Sequence, residues 1–310
     1  IKNLVLKVSS NYNHVALNLD EWQDFLDVLC GDREYQKEAI KTALVFLASG
    51  EYDMINNLVA ENYEKNEDIK TIYSSLSQYL KDLQMPNILS ATIDLATGTG
   101  KSYVIFGICF IMMAIAKVKR TLILCPSLTI ESELNKKFQN LLCREDLLSA
   151  VPDKYMPCAF QLTNANQTIT NGDICIENIH AVYSNTGSSI KDSFENTGED
   201  TLVLSDEVHH AYNGSSDSDI KKWKAFVTSF DYGFKYHIGF TGTAYKGDTY
   251  FNDVIYRYSL RQAIDDRIVK NINYVDEDVS ENDNEKFQKI YQNHIKNKNK
   301  YTSIKPISII

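Results

Sequence analysis

Two short stretches of this sequence carry residue types that could do chemistry together. The first, residues 92–103, reads T-I-D-L-A-T-G-T-G-K-S-Y. In it Thr97, Gly98, Thr99, Gly100, Lys101 and Ser102 form a glycine-rich turn whose backbone N–H groups can bend inward around an anion. An apolar run at 88–95 precedes the turn and another at 104–116 follows it, so it joins a strand to a helix. The helix start adds unpaired N–H groups and a positive dipole end to the same place. Lys101 can reach β- and γ-phosphates as a point charge, and Ser102 can offer its hydroxyl to a magnesium ion. The strict phosphate-loop pattern wants a small residue six before the lysine, where this chain has Leu95.

The second stretch, residues 202–210, reads L-V-L-S-D-E-V-H-H, an apolar strand ending in two carboxylates. At the carboxyl edge of a parallel sheet this is where ligands bind. Asp206 can hold magnesium, and Glu207 can polarise the water that attacks a γ-phosphate. An Asp-Glu pair at a strand end is common by itself. About a hundred residues after G-K-S, in the same alternating pattern, it reads as the second half of a nucleotide site. Adjacent His209 and His210 lack the i, i+4 spacing of a helical zinc site. A histidine beside Glu207 suits relaying the presence of a γ-phosphate instead. Thr241 and Thr243, in G-F-T-G-T-A, can bridge the carboxylates to neighbouring structure, or simply form a tight turn. Pro126 and Ser127 follow the apolar run 121–125, where Ser127 either caps a helix or contacts a nucleic-acid phosphate. Gln36, in R-E-Y-Q-K-E-A-I, has an amide able to pair with both edges of adenine, although taken alone it is a solvent-exposed helix residue.

The elements that must position these residues follow from periodicity. From Pro86 onward, strands near 88–95, 121–125, 158–162, 173–177, 201–205 and 235–240 alternate with helices near 100–117, 127–142, 178–185 and 216–230. That alternation predicts an α/β fold: a parallel sheet with helices on both faces. Upstream, residues 1–19 suggest a short hairpin. Asp20 and Asp32 are candidate caps for two helices, and 51–85 reads as an inserted, solvated helical hairpin. Residues 186–200 and 212–219 read as loops, and 276–305 as a charged helix plus linker. The expected organisation is an N-terminal helical region at 1–85, a nucleotide domain at 86–275 and a charged linker at 276–310 whose K-P-I-S-I-I end reads as the first strand of a further, truncated domain of the same kind.

The net charge of −9 argues against a polybasic tail, though not against a local basic groove. Six cysteines without a C-x-x-C pair suit reduced, buried thiols in a cytoplasmic protein. The most apolar run, 103–116, has 14 residues and is too short to cross a bilayer. Ile1 at the start and the apolar end at Ile310 point to a fragment of a longer protein.

As a set and in order, these segments resemble the first RecA-like motor domain of superfamily 2 helicases and translocases. R-E-Y-Q-K-E-A-I resembles the adenine-reading Q motif and A-T-G-T-G-K-S motif I, where a large residue at the Leu95 position is common. L-I-L-C-P-S-L-T-I resembles motif Ia, D-E-V-H-H motif II in its DExH form, and G-F-T-G-T-A motif III. Within the superfamily, I-D-L-A-T-G-T-G-K-S-Y-V and D-E-V-H-H look most like the Res subunit of type III restriction enzymes. G-F-T-G-T-A is nearer the motor subunit of type I enzymes. The resemblance covers about residues 33–275 and implies a P-loop ATPase with ATP and magnesium. It implies that Arg33 and Gln36 read adenine, that Thr97 to Ser102 hold the phosphates, and that Ser102 and Asp206 hold magnesium. Glu207 would be the general base, with His209, Thr241 and Thr243 coupling ATP state to movement. Pro126 and Ser127 would touch the nucleic acid, with Asn178 and His180 in another such segment. The implied partners are nucleic acid, DNA rather than RNA, and a methyltransferase or specificity subunit or another effector. No second motor domain with its arginine finger is visible in the sequence, and neither is a nuclease motif. The same features also suit a nucleotide-gated nucleic-acid sensor that recruits an effector without processive translocation.

Overall fold

The computed structural model describes residues 4–182, 188–212, 218–270 and 282–300. The chain divides into two units, residues 1–269 and 270–310.

Among its described residues the larger unit has nine strands: β1 (Leu89–Leu95), β2 (Arg120–Cys125), β3 (Gln161–Thr163), β4 (Asp173–Asn178), β5 (Thr201–Asp206), β6 (Tyr236–Thr241), β7 (Tyr245–Lys246), β8 (Thr249–Tyr250) and β9 (Val254–Tyr258). Seven form one sheet in the order β3-β4-β2-β5-β6-β1-β9, every pairing parallel. β7 and β8 make a small antiparallel ribbon. The fold is RecA-like α/β, with helices on both sheet faces. Side chains alternate between the faces. Ile93, Leu95, Ile123, Leu204 and Phe240 join the core under the N-terminal helices. Leu122, Leu124 and Val203 join a second core on the other side. Every residue of β1, β5 and β6 is buried, as expected for strands covered on both faces.

The helices that matter to the site are α1 (Gln23–Cys30), α2 (Glu34–Ala48), α3 (Ile55–Lys65), α4 (Glu67–Ile72), α5 (Leu76–Asp82), α6 (Lys101–Ala114) and α7 (Leu128–Leu142). Residues 104–113 of α6 are buried all round, because the helix is held between the sheet, α1, α2 and α7. Behind them come α8 (Glu145–Ser149), α9 (Ile190–Phe194), α10 (His209–Tyr212), α11 (Ser218–Val227) and α12 (Leu260–Asp265). In the smaller unit α13 spans Asp283–Lys300. Among the described residues no helix is long and apolar enough to cross a membrane.

Several elements differ from the sequence expectations. Among the described residues the N-terminal segment forms no hairpin; Leu6 instead donates its N–H to Val254 O, 2.8 Å, along the edge strand β9. Neither aspartate caps its helix, since Leu19 and Arg33 occupy the cap positions. The insertion is three helices rather than a solvated hairpin. Its Ile55, Leu58, Val59 and Tyr79 enter the main core, and Tyr79 Oη donates to Asn252 O at 2.7 Å. The helix expected at 178–185 is a 3-10 turn at Ile179–Val182, its remainder lying outside the described residues. The loop expected at 186–200 contains α9, where Ile190 and Phe194 bury one helical turn apart. Much of the loop expected at 212–219 lies outside the described residues.

Candidate functional site: a phosphate loop facing two carboxylates

Sheet order decides which residues meet. Because β5, β6 and β1 are neighbours, Asp206 lies opposite Phe240, and Asp94 opposite Thr241. The turns that leave these three strands therefore share one edge of the sheet.

The loop after β1 is pinned from below and from the side. Ala96 N–H donates to Tyr258 O at 3.0 Å, and Thr99 Oγ1 donates to Ala96 O at 2.6 Å. Gly98 and Gly100 take φ of +83° and +82°, a region that side chains with a Cβ rarely enter. Gly100 also has no room: a Cβ there would stand 2.6 Å from Gln36 Nε2. Thr97 and Gly98 are exposed, Thr99 is buried, and Lys101 and Ser102 open α6 half-buried.

Opposite the loop, Glu207 adopts φ +51° at the turn after β5. Its Oε1 forms an ion pair with Lys101 Nζ. His209 Nδ1 lies 3.4 Å from Glu207 Oε2 and 2.8 Å from Thr241 Oγ1. Thr241 Oγ1 accepts from Thr243 N–H at 3.0 Å. The intervening Gly242 sits so close to the phosphate loop that a Cβ would be 3.1 Å from Leu95 O and Thr97 N. One continuous set of contacts thus joins Lys101, Glu207, His209, Thr241 and Thr243.

The two carboxylates are shifted in opposite directions. Burial pushes Asp206 up to about 6, with Lys101 opposing and Glu207 adding to the shift. Burial pushes Glu207 up as well, but its hydrogen bond from His209 and the charge of Lys101 outweigh it and bring the group to about 2. A buried carboxylate driven toward protonation is one that a cation would relieve. Asp206 and the Ser102 hydroxyl are hard oxygen donors, the chemistry that suits magnesium.

Gln36 is fully buried, not solvent-exposed as its helical context suggested. Its Nε2 donates to Thr99 O at 2.7 Å, and its Oε1 has no partner among the described residues. Arg33 is exposed at the start of α2. Ser127 caps α7, accepting from Ile130 N–H at 3.4 Å, with Pro126 half-buried before it. Asn178 is tied to α7 through Glu131 Oε2, which accepts from its N–H at 2.9 Å and its Nδ2 at 2.8 Å. Ser127 and Asn178 therefore share the sheet edge, away from the phosphate loop.

Two aromatic residues went unassigned in the sequence. Tyr35 Oη donates to Thr99 O at 2.8 Å, and its ring stacks on that of Tyr258 at 3.9 Å. The readable signal was the run V-I-Y-R-Y at 254–258, whose β-branched and aromatic residues mark a strand.

A family model described as "Type III restriction enzyme, res subunit" matches residues 30–246, more than half of the chain. The chain belongs to the Res family. Its RecA-like domain is accordingly of the superfamily 2, helicase type. Solved structures similar to this Res-family chain include "ATP-dependent Type ISP restriction-modification enzyme LlaBIII bound to DNA", 11% identical with a TM-score of 0.42 over 75% of this chain. Another is "Structure of a nuclease-deletion mutant of the Type ISP restriction-modification enzyme LlaGI in complex with a DNA substrate mimic", 13% identical with a TM-score of 0.42 over 88%. The chain spans 15% and 23% of the lengths of those two chains. A search of curated protein sequences returns no match.

Proposed function

We propose that this chain is the first motor domain of an ATP-driven DNA translocase or helicase, serving a restriction or phage-defence enzyme. The observation that carries the reading is the contact set from Lys101 through Glu207 and His209 to Thr241 and Thr243, formed across three adjacent strand ends. Glu207 and Lys101 form an ion pair. ATP as substrate offers Lys101 a stronger anion, and the freed Glu207 is then available to orient and deprotonate a water. Burial raises Glu207, but His209 and Lys101 hold it low; as Lys101 turns to the phosphate part of that depression is lifted, and the carboxylate becomes a stronger base. His209 touches both Glu207 and Thr241, so a change at the carboxylate moves the turn after β6. The backbone N–H groups around Gly98 and Gly100 hold the phosphates, with Gln36 and Arg33 at the adenine end. Ser102 and Asp206 would hold magnesium, which neutralises phosphate charge during transfer. Pro126 and Ser127, at the start of α7, supply contacts to the nucleic-acid backbone. A methyltransferase or specificity subunit is the partner the restriction reading calls for.

The test is ATP hydrolysis by the longest native form of the protein, alone and with duplex DNA, single-stranded DNA or duplex RNA. Stimulation by DNA that is lost in Lys101→Ala and Glu207→Gln supports the motor. ATP binding with no stimulation by any polymer would move the reading to a nucleotide-gated switch.

A further inference from the structure

The segment that follows β9 borders the phosphate loop at both of its ends. At one end the Tyr258 ring lies on Tyr35, which is bonded to Thr99 O. At the other end Val269 Cγ2 lies 3.8 Å from where a Cβ on Gly98 would stand. Between them α12 starts from a capping box formed by Ser259 and Gln262. It stops in a two-bond C-terminal motif, in which Arg267 N–H donates to Ile264 O at 3.0 Å and Ile268 N–H to Ala263 O at 2.9 Å.

That motif needs a left-handed residue at its turn, normally glycine or asparagine. Here the position holds Arg267, at φ +61°. An arginine pays for this conformation where glycine would not. Helix stability does not require it, because a cation in the last turn would complement the dipole without leaving the right-handed region. Nor does a neighbouring acid account for it. Asp265 is paired with Arg261 at 3.0 Å, and Asp266 accepts from Tyr258 Oη at 2.7 Å. The Arg267 side chain is exposed and has no hydrogen bond or ion pair among the described residues. The same two-bond motif closes α6, where Ala116 takes φ +55°, so the backbone conformation alone marks no function; what sets Arg267 apart is an exposed guanidinium, unpaired among the described residues, two positions from the residue that touches Gly98.

We propose that Arg267 is a nucleotide-binding residue, reaching the phosphate tail of the bound nucleoside triphosphate from the outer side of the loop. The assignment rests on the ATP site described above. Arg267 is two residues from Val269, a span of at most about 7 Å, and its side chain is long enough for the guanidinium to be brought to the outer side of the loop when a nucleotide binds. Its planar fork of donors matches phosphate oxygens.

The experiment measures binding of a fluorescent ATP analogue with magnesium, and of adenosine, to the whole 310-residue chain. Wild type is compared with Arg267→Gly, Arg267→Lys and Lys101→Ala, and thermal unfolding is followed in parallel. Arg267→Gly should unfold at the same temperature or higher, because glycine suits the turn. It should still bind the ATP analogue about fivefold to tenfold more weakly, with adenosine binding unchanged. The difference should shrink at high salt, and Arg267→Lys should lie between. If Arg267→Gly binds the analogue as wild type does while Lys101→Ala has lost it, the Arg267 assignment is wrong and the ATP site stands. Equal losses for the analogue and adenosine would also overturn it, because the contact would not be to phosphate. If Lys101→Ala binds like wild type, the ATP-site reading fails and takes the assignment with it.

Discussion

Glu207 and His237 show how differently two ionisable side chains are used within one sheet. Glu207 stands at a strained left-handed turn, charged and in contact with Lys101 and His209, where a ligand can compete for its partners. His237, in the middle of β6, is fully buried and reaches no solvent. Its Nδ1 lies 2.8 Å from Ser90 Oγ and its Nε2 3.0 Å from Ser205 Oγ. Ser90 Oγ donates to Met85 Sδ at 3.6 Å, which leaves it to accept from His237 Nδ1, while Ser205 Oγ, accepting from Trp223 Nε1, can donate its own proton to His237 Nε2. The imidazole is then neutral and donates from Nδ1 to Ser90. A second ring proton would leave two donors facing each other, and burial alone holds the group down at about 3. In the unfolded chain the same group titrates near 6.5, so the unfolded state binds the extra proton. Stability contributed by His237 is therefore complete above about pH 6.5 and is lost as pH falls toward 3, by up to about 1.4 kcal/mol per unit. Asp253, which burial raises to about 6, works in the opposite direction between about pH 4 and 6. A comparison of His237→Gln with wild type cancels that contribution. The substitution should cost about 1–2 kcal/mol at pH 8 and clearly less at pH 5 by urea denaturation. A cost that does not change with pH would show that His237 does not gate the acid limb.

The elements explain why some of this was legible in the sequence and some was not. β1, β2, β4, β5 and β6 are long apolar runs beside turn signals, and their positions follow from local pattern within a few residues. The phosphate loop and the carboxylate pair are legible for the same reason, because each sits at the end of such a run. β9 is legible as a strand from the run V-I-Y-R-Y, but its place at the sheet edge is not, because its partner β1 is about 160 residues away. Gln36 was misread as exposed because its burial is created by the loop after β1, more than sixty residues on. The insertion was misread likewise. Tyr79 finds its acceptor at Asn252, and Asn62 pairs with the backbone of Lys7, both contacts that no local window contains. Packing between elements also gives Gly239 a role that its turn-like sequence context hides. It lies in β6 opposite Ser205, directly under the turn that carries Glu207. A Cβ there would stand 2.6 Å from Val208 Cγ1 and 2.9 Å from Val208 Cβ. Val208 is fully buried and cannot swing aside. Gly239→Ala should thus destabilise the protein by about 1–3 kcal/mol and displace the carboxylate turn. Thermal unfolding together with ATP binding checks this. A variant with wild-type values for both would mean that the turn is more compliant than its packing implies.

At the scale of the whole molecule, every group described at the nucleotide site comes from a single RecA-like unit. Lys101, Glu207 and the loop backbone gather at the strand ends, where the proposed function has the phosphates bind, and Arg267 is proposed to join them. Fast phosphoryl transfer needs further positive charge where the transition state develops it, and in helicase-type motors a second RecA-like domain supplies an arginine for that purpose. Such a residue contributes on the order of a thousandfold or more in rate. The 310 residues alone are therefore expected to bind ATP with magnesium and to turn it over slowly, whether or not DNA is present. A pre-steady-state experiment separates the two halves of that statement. Binding of a fluorescent ATP analogue should saturate, and the single-turnover rate should be lower by about three orders of magnitude than that of a motor with both RecA-like domains assayed side by side. Nucleic-acid-stimulated turnover by the 310 residues at the rate of that two-domain motor would show that these residues already hold all the charge the reaction needs. In that case Arg267, unpaired among the described residues, would be the first residue to test for a role in transfer as well as in binding.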